Sequence, residues 1–227
     1  MTDVAGGLSR VRAQLADATA RSGRAAGSVR LIAVSKFQPA SAIRAAYAAG
    51  QRDFGENYVQ ELQQKAIELA DLNELRWHMI GHLQRNKARV VAPLATLLHT
   101  VHSAELVHEL DKRAHGLAVL IEVNVGGEAQ KSGCAPDALP EVLSAASAAK
   151  NLRLRGLMCV PPHTEDPSGA RPYFDELLRL RELHGGAQHL PELSMGMTAD
   201  LEYAVAAGAT MVRVGTAIFG ARPKAVG

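Results

Sequence analysis

The sequence predicts an α/β chain closed into a single (β/α)8 TIM barrel, and three observations predict it. Eight strand-like apolar runs recur along 227 residues. Segments with helical period lie between them, and glycines such as Gly50 and Gly208 stand where a helix must stop before the next strand. Strands alternating with helices form a parallel sheet with right-handed crossovers, and eight such units approach the usual barrel size of about 250 residues. A doubly wound open sheet is the alternative. Its dinucleotide version is weakened because no G-x-G-x-x-G follows the first strand.

The elements follow in order. Leu8, Val11, Leu15 and Ala18 share one face of an extra opening helix. Strands are expected near 31–35, 52–54, 77–80, 97–101, 117–125, 153–160, 192–195 and 210–214. The first of these, rich in branched aliphatics and bounded by Pro39, reads as a strand buried on both faces. Helical faces run through Val59, Leu62, Ala66 and Leu69, then Leu139, Val142, Leu143 and Ala146, then Phe174, Leu177, Leu178, Leu180 and Arg181. The stretch 161–167 is rich in proline and polar residues and reads as one long loop, so residues 1–227 are taken as one domain.

Composition excludes several function classes. The chain is 47% hydrophobic with a net charge of +2, too little to imply nucleic acid. No run is long enough to span a bilayer, and the amino terminus lacks a secretory core, so no membrane role is expected. Cys134 and Cys159 are too few and too far apart for a disulfide framework or a zinc site, which points to a reducing cytoplasm. His78 and His82 straddle a strand end without an H-E-x-x-H, so no metal is expected.

Barrels keep their chemistry at the carboxyl ends of the strands. Lys36 follows the first strand there. Its stem lies in the core and its amine at the rim, where desolvation favours the neutral, nucleophilic form. The bland alternative is a lysine that snorkels into water. Gly55, Glu56 and Asn57 end the second strand, and Gly81 and His82 follow the third. Glu56 is read as an ion-pair partner in preference to a general base, and Cys159 as a small core residue in preference to a nucleophile. The basic run 84–89 is either a solvated helix start or a weak attractor of anions.

The loops after strands seven and eight are the usual phosphate site of such barrels. Here they carry Ser194, Met195, Gly196, Met197 and Thr198, then Arg213, Val214, Gly215 and Thr216. Hydroxyls and close-approaching glycine amides suit a dianion, although either loop alone is ordinary turn chemistry. A Schiff-base lysine, a phosphate cup and an arginine on one rim together suggest pyridoxal 5′-phosphate.

The stretches LIAVSKFQP, DFGENYVQE, RWHMIGHLQRNKAR, VNVGGEAQKSG, RGLMCVPP and ELSMGMTADLEYAVAAGATMVRVGTAIFGAR make the resemblance specific. Over nearly its whole length the chain resembles the pyridoxal-phosphate homeostasis proteins (the YggS/PROSC family), single barrels similar to the amino-terminal domain of alanine racemase. Thr198 stands where the family usually has serine, Gly126 replaces a more common serine, and Cys159 replaces a small apolar residue. The resemblance implies that Lys36 holds the cofactor as an aldimine. It implies that Ser194, Gly196, Gly215 and Thr216 line the phosphate, with Met195 and Met197 shaping that loop. Arg213 would face the pyridine nitrogen; Asn57, Gly81 and Met158 would pack around the ring and its 3-hydroxyl.

The function implied is intracellular vitamin B6 homeostasis by a monomeric carrier that masks the aldehyde and exchanges cofactor with apo-enzymes, without strong catalysis. The alternative is a pyridoxal-phosphate-dependent amino-acid racemase or similar enzyme, and a weaker one is a class I aldolase. Racemases resembling this barrel take a tyrosine base from a second domain, whereas Tyr47, Tyr58, Tyr173 and Tyr203 fall in expected helices. For Arg213 the bland alternative is an ion pair with Glu202.

Overall fold

The computed structural model describes residues 3–128 and 130–221. Its eight strands are β1 (Arg30–Val34), β2 (Asp53–Glu56), β3 (Arg76–Met79), β4 (Leu97–Val101), β5 (Leu117–Glu122), β6 (Leu152–Met158), β7 (Glu192–Ser194) and β8 (Met211–Val214). They pair in chain order, all parallel, and β8 returns to β1 to close the barrel. Closure leaves no edge strand, so ladder donors and acceptors are satisfied around the ring.

The helices are α1 (Val4–Arg21), α2 (Ala40–Ala48), α3 (Val59–Glu68), α4 (Ala88–Val91), α5 (Ala104–Asp111), α6 (Leu139–Ala148), α7 (Arg171–Leu183), α8 (Gly186–His189), α9 (Leu201–Ala206) and α10 (Thr216–Phe219). Single 3₁₀ turns at Arg85–Lys87 and Pro167–Ala170 lead into α4 and α7. Gly50 and Gly208 adopt φ of 85° and 97°, the left-handed stop that lets α2 and α9 hand over to a strand.

Strand alternation divides the apolar residues in two. One set packs between sheet and helices and makes the large core. The other is a small plug inside the barrel made by Ile32, Leu97, Leu120, Met158 and Met211, with Ala118 against it. The interior positions above and below that plug are polar, a departure from the layered aliphatic filling usual in this architecture. Each fully buried large aliphatic contributes about 1.5–3 kcal/mol, so the outer core carries most of the stability.

Helix α1 begins on Asp3, whose side chain accepts from the Gly6 N–H at 2.8 Å. It buries Leu8, Val11, Leu15 and Ala18 as its spacing requires and packs on α9 and α10. Gly7 touches α10 so closely that a Cβ there would stand 2.6 Å from the Ile218 carbonyl oxygen and 2.8 Å from that of Ala217. The opening helix therefore sets the position of α10 on the barrel rim.

All eight expected strands exist. Those expected at 117–125 and 153–160 end earlier, at Glu122 and Met158. The apolar residues beyond them, such as Val123, lead into rim loops; the Val123 N–H donates to the Met158 carbonyl at 2.8 Å, and Val123 makes an isolated bridge to Cys134. Tyr58 lies one residue before α3, outside the helix expected for it, with its ring centroid 5.2 Å from that of Phe37.

Candidate functional site

Lys36 is half-buried, one residue past the buried Ser35 that follows β1. The main chain on both sides of it is tied to α3. Lys65 Nζ donates to the Ser35 carbonyl at 2.8 Å, and the Phe37 N–H donates to Glu61 Oε2 at 2.8 Å. Phe37 holds φ of 62°, a left-handed conformation costing roughly 1–2 kcal/mol, which the charge-assisted bond to Glu61 offsets. Lys65 closes the network with 2.8 Å contacts to both Glu56 Oε1 and Glu61 Oε2, and the Ser35 hydroxyl donates to Glu56 at 2.6 Å. Glu56 is thus an ion-pair residue on the helix side of the sheet, and its partner is Lys65. Burial raises its pKa while Lys65 opposes that rise.

Inside the barrel a single file of hydrogen bonds runs from rim to floor. Arg213 Nη1 donates to Ser194 Oγ at 2.6 Å, and Nη2 donates to the Cys159 carbonyl at 2.9 Å. Ser194 Oγ lies 2.8 Å from His99 Nδ1, His99 Nε2 lies 2.9 Å from His78 Nδ1, and His78 Nε2 lies 2.9 Å from Asp53 Oδ1. Chemistry fixes the direction. Burial raises the Asp53 pKa, but hydrogen bonds from His78 and Arg76 outweigh it and hold the carboxyl down to about 2, so Asp53 only accepts. Burial lowers both imidazoles and keeps them neutral. His78 therefore donates to Asp53, His99 donates to His78, and the Ser194 hydroxyl donates to His99 while accepting from Arg213.

The same ordering places the Ser194 hydroxyl between Arg213 and His99. Its side chain is fully buried and its proton is engaged by His99, so its hydroxyl acts within the barrel as the acceptor that aims Arg213. The bland ion pair for Arg213 is absent as well, since Glu202 is held by Arg21 at 2.9 Å on the surface.

Glu122, at the end of β5, is a site residue that sequence reasoning missed. It follows Leu120 by two positions and so faces the interior one layer nearer the rim, where it senses the charge of Arg213. Burial pushes its pKa up to about 7 against the pull of Arg213. Its Oε2 is buried without a hydrogen-bond partner among the described residues, as are Asn57 Oδ1, Glu56 Oε2 and Glu128 Oε2. Orphaned acceptors at strand ends are what a ligand with donor groups would satisfy. A periodicity check could have found Glu122, His78 and His99: each is a polar residue at an inward position of a buried strand.

The remaining expected residues lie at or beside the carboxyl ends of the strands, some on the rim and some buried beneath it. Gly81 comes against Asn57 so closely that a Cβ would stand 2.0 Å from the Asn57 carbonyl oxygen, and the Gly81 carbonyl accepts from Thr100 at 2.8 Å. Met158 is fully buried in the interior plug, and Met195 is buried on the outer side of the sheet. Met197 is exposed, with its N–H donating to Asp200 at 2.5 Å. Gly196 takes φ of 91°, and a Cβ there would strike Ala204 at 2.4 Å. Gly215 caps α10 and passes close to the Val34 carbonyl. Thr216 opens that helix, whose first amides have no intrahelical partner, and its side chain is exposed on the rim. Burial pushes the Cys159 thiol up to about 12 and the Cys134 thiol up to about 11, so both are inert core thiols.

Comparison with known proteins places this geometry. Residues 8–223 match the family described as alanine racemase, N-terminal domain. The chain is 46% identical to the pyridoxal phosphate homeostasis protein of Pseudomonas aeruginosa, covering 98% of this chain and 97% of that one. It is 42% identical to the protein of the same name from Escherichia coli K12, with 98% of each covered. PipY of Synechococcus elongatus, solved with pyridoxal phosphate bound, superposes with a TM-score of 0.84 at 38% identity, over 96% of this chain and 100% of that one. Alanine racemase from Corynebacterium glutamicum shares the fold, with a TM-score of 0.71 at 21% identity over 62% of its length.

Proposed function

Because the chain belongs to the alanine racemase N-terminal domain family, and within it to the pyridoxal phosphate homeostasis proteins, we propose that it holds pyridoxal 5′-phosphate and serves vitamin B6 homeostasis. Bound there, the cofactor supplies an electrophilic aldehyde and an electron-withdrawing ring. Lys36 is the amine that takes the aldehyde, on a backbone that Lys65 and Glu61 hold from both sides. Gly196, Gly215 and Thr216 receive the phosphate, Asn57, Gly81 and Met158 flank the ring, and Met195 and Met197 shape the loop between. Ser194 acts through Arg213.

One observation carries the carrier reading over the enzyme reading. Arg213 is buried, bonded to Ser194 and Cys159, and has only donors to offer a ring nitrogen. A guanidinium there favours the unprotonated pyridine and a weak electron sink, so bond-breaking at an amino acid is poorly supported. The resulting role is a cytoplasmic, monomeric reservoir built as one domain, exchanging cofactor with apo-enzymes and lacking strong turnover of its own.

Borohydride reduction of the cofactor-loaded protein, followed by peptide mass spectrometry, tests the site. The adduct is expected on the peptide containing Lys36 and is lost in Lys36→Ala; an adduct mainly on Lys131 would overturn it. Steady-state assays on both enantiomers of the common amino acids test the role. Turnover of about 1 per second or faster, the ordinary enzyme range, restores the racemase-like reading.

A further inference from the structure

The barrel has a second polar opening, at the amino-terminal ends of its strands, away from the Lys36 rim. A cavity of about 440 Å³ lies there, lined by Arg30, Asp53, Arg76, Arg153, Arg155 and Glu192 among others. Its charges do not balance. Arg76 grips Asp53 through two hydrogen bonds of 2.9 and 2.6 Å, which uses up that carboxylate. Glu192 then shares the opening with Arg30, Arg153 and Arg155, and its nearest guanidinium nitrogens lie beyond hydrogen-bond distance, Arg30 at 3.7 Å and Arg155 at 4.0 Å. Glu192 Oε2 instead accepts from the Thr210 hydroxyl at 2.7 Å. Arg153 donates its Nε to the Gly116 carbonyl at 2.9 Å and lines the same opening.

An ion-pair network built for stability would close these forks on carboxylates at hydrogen-bond distance. Here guanidinium donors converge on a concave opening without enough acceptors. We propose that the amino-terminal mouth of the barrel binds a small oxyanion carrying two or more negative charges, of the phosphate or pyrophosphate class, on Arg30, Arg153 and Arg155. The planar forks match the oxygen spacing of a phosphoryl group, and two or more of them select a polyanion over chloride. Asp53 is already ion-paired with Arg76 and hydrogen-bonded by His78, so it does not oppose the anion. Glu192 sets a lower limit on the anion's charge, because it must be outweighed.

The test is isothermal titration of the full chain with inorganic pyrophosphate at fixed ionic strength, with chloride as the control. Wild type is compared with Arg155→Gln, with Arg153→Gln/Arg155→Gln, and with Thr216→Val, which alters the opposite rim. Saturable binding that weakens about tenfold or more in both arginine variants and survives in Thr216→Val is the expected result. Should the protein bind two equivalents, the arginine variants are expected to lose one of them. Arg155 makes no hydrogen bond among the described residues, so its single substitution leaves the fold intact even if the double variant does not. Heats that match chloride, or binding abolished by Thr216→Val and untouched by Arg155→Gln, overturn the proposal.

Discussion

Arg213 Nη1 and Ser194 Oγ meet at 2.6 Å inside the barrel, and that contact orders everything beneath it. Arg213 donates a hydrogen bond to Ser194, Ser194 donates to His99, and the file ends on the ionised Asp53. A guanidinium aimed in this way cannot swing off to pair with a surface carboxylate. The Ser194 hydroxyl thus sits between Arg213 and His99.

Ser194→Ala and Thr216→Val should separate these roles. Loss of the Ser194 hydroxyl frees Arg213 and leaves a buried donor unpaired, so pyridoxal phosphate and pyridoxal should weaken alike. Loss of the Thr216 hydroxyl should weaken pyridoxal phosphate by about one power of ten and spare pyridoxal, since a hydrogen bond to a charged group is worth about 1.5–3 kcal/mol. Fluorescence titrations with both ligands measure this, and a phosphate-selective loss in Ser194→Ala would contradict the assignment.

Lys65→Met should be the most damaging substitution near the site without touching it. It strands Glu56, fully buried, without its cation and releases the Ser35 carbonyl beside Lys36. Breaking one side of a buried pair costs about 3–5 kcal/mol, and Glu56→Gln/Lys65→Met should regain a large part of that. Urea unfolding gives both values. A single-variant loss below about 1 kcal/mol would mean the network does not anchor the lysine loop.

Glu122 predicts a pH dependence of known sign. Its folded pKa is raised from 4.5 to about 7, so the folded protein keeps a proton that the unfolded chain has released. Its contribution is fully present below about 4.5 and is lost as pH rises to about 7. At about 1.4 kcal/mol per pH unit, the cofactor-free protein loses up to ~3 kcal/mol across that window. Glu122→Gln should therefore match wild type near pH 4 and exceed it near pH 8. Thermal melts at the two pH values check this, and equal melting at both would place the Glu122 proton elsewhere.

Gly7→Ala should reach the site through α10. A methyl group 2.6 Å from the Ile218 carbonyl must push α10 outward, carrying Thr216 with it. Overpacking of this kind costs about 1–3 kcal/mol, and the affinity loss should fall on the phosphorylated ligand. Unchanged phosphate selectivity in a folded Gly7→Ala variant would show that α1 does not position the phosphate end.

The sequence by itself determined the barrel, because period is local. Branched aliphatic runs, helical faces and stop glycines such as Gly50 and Gly208 each act within a few residues, and eight repeats admit few topologies. It also placed Lys36, Asn57, Gly81, Gly196, Arg213, Gly215 and Thr216 at strand ends, and strand ends share one rim. Only the tertiary structure decided which polar groups meet. Ser194 and His99 are 95 residues apart, Arg213 and Cys159 are 54 apart, and Lys65 reaches Ser35 across 30. The inward or outward sense of a residue in a strand turns on register and bulges, such as the shift between Val119 and Leu120 that sets β5 against β6. Closure of the ring then brings inward residues from distant strands onto one axis, so His78 and His99 acquire partners, and Glu122 the influence of Arg213, that no local pattern encodes.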